Sequence, residues 1–130
     1  MVTFATMSPI ALVVDDSMLV RHTVCRFLEE RGYEVETASN GADALQRLGC
    51  VRPDLIVTDL QMPRMTGAEF ITALKSNPTT ASTPIIVIAG RSLKTDPQRE
   101  QRADYVIFKD IDTETQLEKA LAKIFATACR

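Results

Sequence analysis

The 130-residue chain has a single histidine, His22, and three cysteines, Cys25, Cys50 and Cys129, which are odd in number and never in CxxC spacing. An imidazole–thiolate metal site is therefore not expected. The cysteines read instead as unpaired thiols of a cytoplasmic protein. Positive charge is not in excess: 15 basic residues face 17 acidic ones, for a net charge of −2. That balance leaves no basic footprint for nucleic acid and no polybasic membrane patch. No apolar run approaches the ~20 residues of a membrane helix. Residues 1–9, MVTFATMSP, lack the charged start and long apolar stretch of a signal peptide. Internal repeats and low-complexity tracts are also missing.

What is there suits one domain. Apolar residues make up 45% of the chain and charged residues 25%, and this length buries a core without covalent staples. Residues 1–8 are expected to be a short extension, with the domain over 9–128. Two kinds of segment then alternate. IALVV (10–14), LIVT (55–58), PIIVIA (84–89) and YVIF (105–108) are short continuous apolar runs, the mark of strands covered on both faces. YEVETA (33–38) alternates and reads as a strand nearer an edge. Apolar residues at helical spacing predict helices over 17–31, stopped by Gly32, over 41–49 after an Asn40 N-cap, over 67–76 before Pro78, and over 113–127. The polar stretch before the last strand carries Asp96-Pro97 and predicts only a short fourth helix near 97–103. Five strands alternating with five helices predict a doubly wound α/β fold with a parallel sheet in the order 2-1-3-4-5.

The strand ends carry the chemistry. The first strand runs into Asp15 and Asp16, the third into Asp59 and the last into Lys109. In a parallel sheet these ends share one edge, so three carboxylates and one ammonium meet in one cleft. Each acid taken alone has a simpler reading as a helix N-cap, since Ser17 and a helix follow the first pair. Together, an all-oxygen cluster selects a hard cation, and Mg²⁺ fits, with positions left for a phosphate. Asp59 is the candidate nucleophile, since a carboxylate attacks phosphorus to give an acyl phosphate. Lys109 would offset charge on the transferring oxygens.

The segments VVDDS, PDLIVTDLQMPRMTG and YVIFK resemble the receiver domain of bacterial two-component response regulators, the CheY-like family with a flavodoxin-like fold. The resemblance covers about residues 10–127. It implies Asp59 as phosphoacceptor, Asp15 and Asp16 as metal acids, the main-chain carbonyl of Gln61 as a further Mg²⁺ ligand and Lys109 as the phosphate-pairing lysine. It further implies a turn at Pro63 and Gly67, and a sensor histidine kinase or histidine phosphotransfer protein as phosphodonor. The output would be a contact with an unknown downstream protein. On this reading the chain is not an enzyme in its own right and has no room for a DNA-binding or catalytic output domain after the last helix. It is therefore expected either to signal by docking or to be a fragment of a longer protein.

The sequence departs from the family pattern in one region. Ala89 stands where the family has a Thr or Ser whose hydroxyl reaches the phosphoryl group, and Ser92 lies three residues further on. Val106 takes the place of an aromatic switch residue, while Tyr105 lies one residue earlier, on the opposite face of the strand. Asp110 replaces the proline that usually follows the lysine. Thr66 stands where an Asp is common. The changes at 89, 106 and 110 favour an alternative, a pseudo-receiver that binds partners without switching by phosphorylation. A Mg²⁺-dependent phosphatase with an aspartyl intermediate is a third reading. The phosphatase is disfavoured because Gln61 stands where such enzymes have a second Asp. Met18 and Leu19 lie off the buried stripe of the first helix, beside the acids, where they suit docking of a phosphodonor helix. His22 is expected on the surface.

Overall fold

The computed structural model describes residues 9–59, 65–89, 103–108 and 112–128. Their elements run β1 (Ile10–Val14), α1 (Met18–Glu29), β2 (Glu34–Ala38), α2 (Gly41–Arg47), β3 (Leu55–Asp59), α3 (Gly67–Ser76), β4 (Ile85–Ala89), β5 (Tyr105–Phe108) and α4 (Thr113–Ala128). The strands form one parallel sheet in the order β2-β1-β3-β4-β5. Fold class and strand order are those expected from the sequence. Four helices lie among the described residues; the short helix expected near 97–103 and the extension at 1–8 lie outside them.

Strand alternation divides the core in two. Ala11, Val13, Leu55, Val57, Ile86, Ile88 and Ile107 meet α1 and α4 on one face, through Val24, Phe27, Leu28, Leu117, Ala120 and Leu121. Leu12, Val14, Ile56, Ile85, Val87 and Ala89 meet α2 and α3 on the other, through Ala44, Phe70, Ile71 and Leu74. Every residue of β3 and β4 is buried, which is why those runs are apolar without a break. The two edge strands are less covered: in β2 Glu34 is exposed and Glu36 half-buried, and in β5 only Ile107 is fully buried.

Helix ends follow local chemistry. Ser17, Asn40 and Thr66 cap α1, α2 and α3, each accepting a main-chain N–H on its side chain. Thr66 forms a reciprocal capping box with Glu69, so the departure at this position keeps the cap. Gly32, at φ 91°, takes the left-handed turn after α1 that a side chain would strain. Asp112 caps α4: its carboxylate accepts the Thr115 N–H at 3.3 Å and the Thr115 hydroxyl at 2.7 Å. Those hydrogen bonds hold the Asp112 carboxyl below the usual aspartate range.

The amino ends of the strands are pinned by side chains. Ile10 N–H donates to the Asp54 carboxylate at 2.9 Å while Asp54 N–H donates to the Ile10 carbonyl at 2.6 Å. Asp104 and Ile85 make the same reciprocal pair, both bonds at 2.8 Å. The carboxyl ends, at the opposite edge, are left to the acidic cluster.

Candidate functional site

β1 and β3 are adjacent, and their last paired residues are Val14 and Thr58. The next residue on each strand is an acid, Asp15 and Asp59. Both are buried, at 0% and 2% exposed, whereas Asp16 is exposed. The sheet thus delivers two carboxylates into the interior at one level, with a third closing the solvent side.

Asp15 is held through both its main chain and its carboxylate. Its N–H donates to the Ala38 carbonyl at the end of β2, at 3.1 Å. Its own carbonyl accepts from the Arg21 guanidinium at 2.6 Å. Its carboxylate accepts the Ser17 N–H at 2.8 Å, while Ser17 rather than either acid caps α1. The N-cap reading of Asp15 and Asp16 is therefore replaced by Ser17. Thr58 is buried beside Asp59 and donates its hydroxyl to the Asp59 carbonyl at 3.1 Å.

One carboxylate oxygen from each of Asp15, Asp16 and Asp59 lies within 4.8 Å of the others. Oxygens around Mg²⁺ at 2.0–2.1 Å stand roughly 3 Å apart when adjacent and about 4.2 Å when opposite. A small side-chain adjustment brings all three to one hard cation, so the donor set and its spacing fit the ion. Two carboxylates about 4.8 Å apart repel by roughly 3–4 kcal/mol at an effective dielectric near 20, a repulsion that a bound cation would offset.

The neighbouring strand ends complete the edge. Asp59 pairs with Ile88, and Ala89 follows, buried at 2% exposure. Its methyl can neither donate nor accept a hydrogen bond. Tyr105 packs with the α1–α4 cluster and lies beneath the Lys123 ammonium, 5.9 Å from its ring centre. Val106 packs with the α2–α3 cluster, the face that holds Ala89. The one-residue offset therefore puts the aromatic ring on the far side of the sheet from Ala89, as expected. Gln61, Pro63, Ser92, Lys109 and Asp110 lie outside the described residues. His22 is exposed on α1.

Two contributors carry no obvious sequence signal. Arg21 reaches back six residues to the Asp15 carbonyl, and only its position in the first helix hints at this. The Gln116 amide brackets Phe108 at the end of β5, accepting its N–H at 3.1 Å and donating to its carbonyl at 2.8 Å. A polar residue in a helix otherwise anchored by Leu117 and Leu121 reads from sequence as solvent-facing.

Comparison with known proteins agrees with this geometry. The response regulator receiver domain family matches residues 11–122. Response regulator MprA of Mycobacterium ulcerans is 42% identical over 85 residues, covering 65% of this chain and 36% of that protein. Protein PilG of Pseudomonas aeruginosa is 35% identical over 80 residues, covering 62% of this chain and 59% of PilG. The match thus spans only about a third of the MprA length. Among solved structures, the chemotaxis response regulator CheY4 of Vibrio cholerae superposes with TM-score 0.79 at 33% identity, over 91% of this chain and 99% of that one. The receiver domain of a signal transduction histidine kinase from Syntrophus aciditrophicus gives 0.80 at 30% identity, over 95% and 94%.

Proposed function

Because this chain belongs to the response regulator receiver domain family of two-component signalling, we propose that it relays a signal by holding a phosphoryl group on Asp59. The observation that carries this reading is the buried Asp59 carboxylate, with Asp15 and Asp16 oxygens within 4.8 Å of it at adjacent parallel strand ends. An Asp59 carboxylate oxygen attacks the phosphorus of a phosphohistidine. The N–P bond breaks, its electron pair leaves with the imidazole, and an acyl phosphate forms on Asp59. Asp15 and Asp16, with the Gln61 carbonyl, are the proposed holders of Mg²⁺, which when bound offsets charge on the phosphoryl oxygens. Lys109 is the proposed counter-charge on the other side.

The donor is a histidine kinase or phosphotransfer protein. Met18 and Leu19, 75% and 74% exposed at the mouth of the site, are the proposed contact for its helix. The free thiols of Cys25 and Cys50 are in keeping with a cytoplasmic setting. Matches to named response regulators favour this reading over a non-switching interaction module and over a phosphatase.

The test is mass spectrometry after incubation with Mg²⁺ and a small acyl phosphate. The protein is expected to gain one phosphoryl group, and Asp59→Asn to gain none. Turnover of a phosphate ester instead would point to the phosphatase. Met18→Glu with Leu19→Glu should slow transfer from a protein donor and leave labelling by acyl phosphate unchanged; equal slowing of both would place these residues in the chemistry rather than in docking.

A further inference from the structure

Gly41 opens α2 and is buried. Glycine is a poor helix residue, and this one gains nothing from backbone freedom, because the positive-φ glycine of the described residues is Gly32. Close approach accounts for it. A Cβ built on Gly41 would stand 2.7 Å from Met65 Sδ, 3.0 Å from its Cγ and 3.1 Å from its Cβ. Three consecutive atoms of the methionine crowd that point, with Sδ and Cγ the closest and Cβ near enough to yield by a few tenths of an ångström. Met65 is held from behind, packed against the cluster that contains Ala38, Ala44 and Val14. Its neighbour Thr66 is fixed by the α3 capping box.

The place of this contact in the fold gives it a consequence. β2 and β3 flank β1 on either side. Gly41 follows β2 by three residues, and the Ala38 carbonyl at the end of β2 holds the Asp15 N–H. Met65 follows Asp59, the last residue of β3, by six. The contact thus joins segments that follow the two strands on either side of β1, and Asp15 follows the end of β1.

We infer that Gly41 is a positioning residue for the acidic site: its contact with Met65 ties the chain leaving β2 to the chain leaving β3, and so fixes the spacing of Asp15 and Asp59. The inference rests on the receiver reading of that site. A methyl group at position 41 pushes the two segments apart and spoils the three-oxygen arrangement, although it touches none of the acids.

Isothermal titration with Mg²⁺ alone, with folding followed by circular dichroism, tests this. Wild type is expected to bind. Gly41→Ala should stay folded and lose about tenfold in affinity, the size of effect seen when groups supporting metal ligands are changed. Truncating the obstructing side chain should restore the affinity, so the Gly41→Ala, Met65→Ala double variant should match Met65→Ala alone. Wild-type affinity in Gly41→Ala overturns the inference, as does a double variant that binds more weakly than Met65→Ala. Should Gly41→Ala not fold by itself, that second comparison decides the matter. Wild-type protein that takes no Mg²⁺ overturns the reading of these acids as a Mg²⁺ site, and the inference with it.

Discussion

The Arg21 guanidinium donates to the main-chain carbonyl of Asp15 at 2.6 Å. The bond is charge-assisted and half-buried, and it holds the peptide that sets the direction of the Asp15 carboxylate. A hydrogen bond involving a charged group contributes about 1.5–3 kcal/mol. Arg21→Met keeps most of the stem and removes the donor. It should lower stability by about 1–2 kcal/mol in urea titration and weaken Mg²⁺ binding by about tenfold in calorimetry. Lost stability with unchanged Mg²⁺ affinity would confine Arg21 to the fold.

Asp59→Asn should do the opposite to stability. Like charges buried together at the end of β1 and β3 are relieved when one becomes neutral. In chelator the variant should be more stable than wild type by roughly 1–3 kcal/mol. Adding Mg²⁺ should raise the wild-type melting temperature by a few degrees through binding to the folded state and move the variant far less. Urea and thermal melts with and without the ion read both effects.

Ala89 predicts a weak readout. At the position that the family resemblance gives to a phosphoryl-bonding hydroxyl, this chain has the buried methyl of Ala89. The missing bond, about 1.5–3 kcal/mol, is a large share of the ~5.5 kcal/mol that throws a two-state switch from one side to the other. Amide exchange in β4 and β5 should therefore change little when wild type takes up a phosphoryl mimic, and more in Ala89→Thr. A large cooperative change in wild type would sink the idea.

Asp112 gives a pH dependence of known sign. Its carboxyl is held below the usual range by the Thr115 hydroxyl and then by main-chain N–H groups. Its folded-state value is depressed, so its contribution is full above the unfolded value near 4 and fades as pH falls through the folded one. The stability gap between wild type and Asp112→Ala should be constant near neutral pH and close below about pH 4. A gap that persists at the lowest pH at which the protein folds would contradict the capping role.

Much of this was readable in advance because the fold writes two different periods into the chain. LIVT and PIIVIA are unbroken because β3 and β4 are covered on both faces, and Asp15, Asp16 and Asp59 stand out because nothing apolar explains an acid at the end of such a run. Element ends were less legible. The third strand runs on to Asp59, where charge suggested a stop at Thr58, and α2 ends at Arg47, two residues short of the expected Gly49. Contacts between distant segments left no periodic trace. Nothing in the sequence pairs Gly41 with Met65, Arg21 with the carbonyl of Asp15, or Gln116 with Phe108, because each depends on which loops the topology makes neighbours.

The same residue type works at both edges of the sheet with opposite energetic sign. Asp54 and Asp104 lock the strand starts to their neighbours through paired bonds at 2.6–2.9 Å, and replacing them would loosen the strand register. At the other edge Asp15, Asp16 and Asp59 bring like charges within 4.8 Å of one another, and that mutual repulsion works against the fold. On the proposed reading, a search for stabilising substitutions would therefore reach the acids of the site early, while Asp54 and Asp104 would be kept for the scaffold.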